Sequence, residues 1–181
     1  MRINVVNMPE TALKIGRFTT EFRPVEDRLC LIGEPRDKAR STTAIWLTQR
    51  LLKQLIPELI KAVDAPQYRG SEHANALHSF AQSAAQDAVH PPETPIARPN
   101  SNAYVLPETV NISHHGNALE LRFVDHQHNL IALPLPSVMI RQWLCVLLRC
   151  YQIALWPTTP FPPWVDPADA STRAKPSLAI H

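Results

Sequence analysis

The sequence predicts an α+β fold: two pseudo-repeated three-stranded antiparallel units, each followed by a long amphipathic helix, joined by an alanine-rich helix and a proline-rich linker. Three observations carry it. The segments "AIWLTQRLLKQLIPELIKAV" at 44–63 and "ALPLPSVMIRQWLCVLLRCY" at 132–151 superpose over a shift of 88 positions without a gap. Leu47, Leu51, Leu52 and Leu55 meet Leu135, Met139, Ile140 and Trp143, and Ile56, Leu59 and Ile60 meet Leu144, Leu147 and Leu148. Ahead of each helix, apolar and polar residues alternate with the period of half-buried strands. A three-stranded sheet covered by one helix cannot bury its apolar face alone. Two such units packed about a pseudo-twofold axis can.

The elements follow in order. "RFTTEFR" sets Phe18, Thr20 and Phe22 on one face of a first strand, and "DRLCLIG" does the same for Leu29 and Leu31. A polar loop, "EPRDKAR", leads into "STTAIWL", a third strand rich in β-branched and aromatic residues. Thr48 suits the N-cap of the next helix. Pro57 lies inside that helix and should kink it, having no N–H to give the preceding turn. "SEHANALHSFAQSAAQDAVH" spaces Ala74, Leu77, Ala81, Ala84, Ala85 and Ala88 as the thin apolar stripe of a connecting helix. "PPETPIARPNSN" then reads as a linker.

The second half repeats the plan. Val110 and Ile112 alternate, Gly116-Asn117 signals a hairpin turn, and Leu119, Leu121 and Phe123 share a face. After the turn "DHQHN" comes the strand "LIALPL", with Pro136 suited to the first position of the last helix. On that helix Arg141, Cys145, Arg149 and Gln152 form one stripe, expected as the wet edge of an otherwise core-facing cylinder. The last dozen residues read as a disordered tail. The expected boundaries are 1–65 and 104–156 for the two units, 66–103 for the connecting helix and linker, and 157–181 for a proline/aromatic tail, all within one compact domain.

The chain has 181 residues and a formal net charge of +2, too small to imply nucleic acid or membrane by itself. Residues 1–70 hold 12 Lys/Arg against 8 Asp/Glu, so the basic excess belongs to the first unit. Cys30, Cys145 and Cys150 form no C-x-x-C pair, and an odd count argues against a disulfide framework. Cys145 and Cys150 point about 140° apart around their helix, so they neither bond nor share a metal. The N-terminus lacks the apolar core of a signal peptide, and the one membrane-length apolar stretch, 138–156, is broken by Arg141 and Arg149. A cytoplasmic protein without a membrane span is the expectation.

Motifs for chemistry are thin. His114 and His115 stand about 20 Å along the middle strand from His126 and His128, too far for one mononuclear site, and no zinc spacing is present. No metal and no cofactor are expected. There is no phosphate loop, dinucleotide fingerprint or nucleophile elbow. The sequence therefore favours a non-catalytic protein, with an enzyme lacking any recognisable motif as the last alternative.

Two groups of residues suit binding. Arg36, Lys38 and Arg40 occupy one loop, and with Phe18, Phe22 and Trp46 nearby they suit single-stranded nucleic acid, cations on phosphates and rings on bases. Here "LIALPLPSVMIRQW", and less closely "TTAIWLTQRLL", resembles the Whirly and Pur-type single-strand binders, in which a strand run feeds "LP" into a helix with an early tryptophan. The resemblance implies a fold of repeated strand-run-plus-helix units and single-stranded DNA or RNA as partner. Those families tend to have four strands per unit where three are read here. The second group is "LWPTTPFPPW", where prolines hold Trp156, Phe161 and Trp164 near polyproline II before any contact forms. Such anchors dock in a partner's groove or strap the chain's own helices, and a strap can serve a second copy. The leading expectation is a protein-interaction or assembly subunit, binding a protein partner or itself as a homodimer through this segment and an exposed sheet surface. Single-stranded nucleic-acid binding is the alternative.

Overall fold

The structure is a computed structural model that describes residues 2–4, 12–64, 73–88, 96–99, 104–116 and 118–166. Among the described residues, four strands and two α-helices are followed by four more strands and a third α-helix. They are β1 (Arg2–Asn4), β2 (Leu13–Arg23), β3 (Arg28–Pro35), β4 (Thr43–Leu47), β5 (Tyr104–Val105), β6 (Thr109–His115), β7 (Ala118–Val124) and β8 (Leu130–Pro136). The helices are α1 (Gln49–Val63), α2 (Ala74–Asp87) and α3 (Ser137–Ile153), followed by a 3-10 turn at Pro163–Val165.

The expectation of two three-stranded antiparallel units, each followed by its own long helix, is overturned. All the strands form one mixed sheet in the order β1-β6-β7-β8-β2-β3-β4-β5, which curls into half a barrel. Its halves meet where β2 and β8 pair in parallel, Leu13 with Ile131 and Lys14 with Ala132. The short strands β1 and β5 add in parallel to the outer edges of β6 and β4. The pseudo-twofold also fails. A twofold normal to the sheet at this junction would set like strands side by side and antiparallel, whereas here the last strand of the second half runs parallel to the first of the other. Alternation in the sequence fixes which face of a strand is buried; it carries nothing about which strand edges meet, so the merger left no local trace.

One core serves both halves. Leu29, Leu31, Ile45 and Leu47 share it with Val110, Ile112, Leu121, Phe123, Leu133 and Leu135, and α1 and α3 fill it with Leu51, Leu55, Ile56, Leu144 and Leu147. Thr48 caps α1, its side chain accepting from the Leu51 N–H at 3.2 Å. Pro57 lies within α1. Gly33 is glycine for a packing reason: a Cβ there would come 2.8 Å from Cδ1 of Ile15. Trp143 of α3 reaches across to β2, donating from Nε1 to the Thr20 hydroxyl at 3.0 Å. A small second cluster, Cys30, Ile32, Ala44 and Ile96, lies on the other face of β3 and β4.

Two helices pack otherwise than their apolar patterns alone suggest. The residues α2 buries are His78, Gln82 and Ala85, while Leu77 is 41% and Phe80 77% exposed. Arg141, expected on a wet edge, is buried. The causes are one. The surface that α3 offers α2 is its polar stripe, so α2 docks polar side inward and turns its apolar side out. The end of α3 is closed by Leu155 at φ 55°, with Trp156 N–H on the Tyr151 carbonyl at 2.9 Å and Leu155 N–H on that of Gln152 at 3.2 Å. The linker and the last residues of the tail fall largely outside the described residues, as does Asn117 of the hairpin turn; Gly116 has φ 58°.

Candidate functional site

The densest polar constellation is the latch under α2. Val63 ends α1, and its carbonyl has no partner within the helix. Arg141 Nη2 donates to it at 3.1 Å, a cation at the negative end of a helix dipole. The same guanidinium reaches the His78 carbonyl at 3.4 Å and faces His78 Nδ1 at 3.3 Å. A guanidinium offers only donors, so Nδ1 accepts and the imidazole proton sits on Nε2, which faces Asp64 Oδ1 at 3.4 Å. Burial, and then the Arg141 charge, hold the His78 pKa below its ordinary value.

The aromatic tail closes this latch. Trp164 is buried, stacks on His78 with ring centroids 4.8 Å apart, and lies 5.3 Å from the Arg141 guanidinium carbon. Gln142 donates to the Ala85 carbonyl at 2.8 Å, and Gln82 to the Arg141 carbonyl at the same distance. Cys145 receives the amides of Gln82 and Gln86 at 3.0 and 2.7 Å, and its thiol meets the Val165 carbonyl at 3.0 Å. Burial raises the pKa of Cys145, and pushes Cys30 and Cys150 up to about 11, which makes all three poor nucleophiles.

Trp156, Phe161 and Trp164 therefore all lie against the chain's own fold. Tyr151 takes Trp156 and Phe161 edge-on, each at 5.1 Å. Trp156 also packs on Phe22 and donates from Nε1 to Asp27 at 3.3 Å. Trp164 is buried, while Trp156 and Phe161 are half-buried.

The predicted nucleic-acid residues are not brought to one surface. Phe18 and Phe22 sit on the helix-facing side of β2, against Trp143 and Trp156. Trp46 lies on the opposite face, stacked on Tyr104 at 5.2 Å. On that outer face Arg17 forks onto Glu34 at 3.0 and 3.2 Å, and Arg23 and Arg98 share Glu21. Arg36, Lys38 and Arg40 stay together in the β3–β4 loop, at the end of the half-barrel where β2 meets β8. Sequence reasoning missed the neighbours of this loop, Lys14 and His128, because the β2–β8 pairing brings them there.

No group of His, Cys, Asp or Glu capable of holding a metal ion occurs among the described residues, and no helix among them is long and apolar enough to cross a membrane. Fold and site define a mixed α+β protein with a tail-latched helix that turns its apolar side outward. Compared with known proteins, the chain matches no family model, no curated protein and no solved structure.

Proposed function

We propose that the chain is a non-catalytic interaction and assembly module that works as a homodimer, with the outward face of α2 as its contact surface. The observation that carries this is the inverted helix: Phe80 is 77% exposed while polar His78 and Gln82 are buried. From Ala74 to Gln86 the helix has no charged residue, whereas a helix face that merely meets water normally carries several.

A second copy is the occupant that this face suits. The outer residues flanking Phe80 are small: Ala84 is exposed and Ala81 half-buried, so another helix can approach closely. Asp87 stands at the C-terminal end of α2, the end whose dipole disfavours a carboxylate, and His73 stands at the N-terminal end. An antiparallel pair sets Asp87 of one copy beside His73 and the helix N-terminus of the other. Position 80 is midway between them, so Phe80 falls on the twofold axis against its own counterpart. The tail contributes from behind, since Trp164 holds α2 in this orientation. The three free cysteines suit a reducing, cytoplasmic setting.

Sedimentation equilibrium tests the reading. Wild type should dimerise, Phe80→Glu should be monomeric with unchanged far-UV circular dichroism, and Asp87→Asn should weaken the dimer modestly. A wild type that stays monomeric at high concentration would sink it. Single-stranded nucleic acid has less support, because Phe18 and Phe22 face the core and Arg17 and Arg23 are paired with glutamates.

A further inference from the structure

We propose that the mouth of the half-barrel binds a small phosphate ester whose organic part is apolar or aromatic. This inference is independent of the α2 surface. The sheet opens at the β2–β8 junction because only two residue pairs close it. A hollow of about 500 Å³ lies there, and a second, of about 270 Å³, adjoins it, sharing Leu13 and Arg40. The larger one falls in the size range of ligand pockets.

Its lining divides into two kinds of surface. Leu13, Val105 and Ile131 make an apolar floor, drawn from β2, β5 and β8. Arg40, His128 and Asn129 make a polar wall, and Lys14 and Arg36 rim the adjoining hollow. The cations are available. Lys14, Arg36 and Lys38 have no carboxylate partner among the described residues, and Arg40 meets only Asp37, at 3.8 Å with both side chains more than half exposed. Such an exposed pair is weak. Three cations, Lys14, Arg36 and Arg40, line the two hollows against the one carboxylate of Asp37, a balance that suits a doubly charged anion better than a carboxylate ligand.

The surroundings hold these groups in place. Arg36 lies across Gly16, where a Cβ would come 3.1 Å from the Arg36 Cγ, and its N–H donates to the Lys14 carbonyl at 2.8 Å. His128 has φ 63°, a left-handed conformation that disfavours any side chain. The β7–β8 turn imposes it. Asp125 is buried, which alone would raise its pKa, but bonds from Asn129 and Gln127 outweigh this and hold the carboxyl below its ordinary range. A glycine at 128 would make the turn more easily, so the strained imidazole at the hollow's wall is a cost that a ligand contact explains.

The test is calorimetric titration at low salt with phenyl phosphate, inorganic phosphate and phenol. Phenyl phosphate should bind at least about tenfold more tightly than inorganic phosphate, the gain expected from laying one ring on an apolar floor, and phenol should not bind. Arg40→Ala should abolish binding. His128→Gly should raise the melting temperature and still weaken binding several-fold, a pairing that a merely structural role cannot produce. Equal affinity for phenyl phosphate and inorganic phosphate would overturn the proposal, as would full retention of binding in both variants. Oligothymidylate binding that tightens with length, falls steeply with salt and ignores His128→Gly would overturn it in favour of nucleic acid.

Discussion

At the scale of single residues, three positions tie sequence to stability through one atom or one torsion. Gly33 lets Ile15 pack, so Gly33→Ala should cost about 1–3 kcal/mol by overpacking. Ile15→Val removes the Cδ1 that a new Cβ would meet at 2.8 Å, so the double variant should lose less than the sum of the single losses in chemical denaturation. Leu155 is 91% exposed at φ 55°, where a helix end favours glycine. Leu155→Gly should therefore stabilise the protein by about 1 kcal/mol, read as a rise in melting temperature. The buried Tyr151 hydroxyl meets no hydrogen-bond partner among the described residues, and burial pushes its pKa up to about 12. Tyr151→Phe should be neutral or stabilising by about 1 kcal/mol, since it removes an unsatisfied polar atom and little volume.

At the scale of elements, the latch gives α2 a pH dependence with a defined sign. His78 is neutral in the fold and its pKa lies below the ordinary 6.5. As pH falls past about 6.5 the unfolded chain takes up a proton that the folded chain refuses, so stability drops until pH passes the folded value. Among the described residues, the imidazole is faced by Asp64, the C-cap of α1, by Arg141 from α3 and by Trp164 from the 3-10 turn. Wild type should lose amide protection in α2 between pH 7 and 5 more steeply than His78→Leu, which isolates this histidine from the seven others. Trp164→Ala should loosen α2 at every pH. Much at this scale was legible in the sequence: Thr48 as a cap, Leu119, Leu121 and Phe123 on one buried face, and both long helices. The orientation of α2 was not. Its alanine stripe was legible, but amphipathicity says only that two sides differ, and the polar stripe on α3 decides which side docks.

At the scale of the whole molecule, the halves share too little backbone and too much core to behave as separate units. Two residue pairs join β2 to β8, yet α1 and α3 pack on each other and one cluster of side chains draws on both halves. Unfolding should be a single transition, with tryptophan fluorescence and far-UV circular dichroism coinciding; two resolved steps would mean that the core is not shared. Periodicity could not foretell this merger. Nor could it place Lys14, Arg36 and His128 about two adjoining hollows, because strands far apart in sequence bring them there through parallel pairing.

The placement of β1 and β5 has its own consequence. A half-barrel, unlike a closed one, keeps two free edges, and unsatisfied edge amides template sheet growth between molecules. Here each edge ends in a strand of three or two residues, too short to seed a stable ladder with a neighbour. A chain shortened to begin at Ala12 would bare Thr109–Asn111 of β6. It should keep its core and form thioflavin-positive fibrils sooner than the full chain. On this account β1 stabilises the fold little and guards its solubility a great deal.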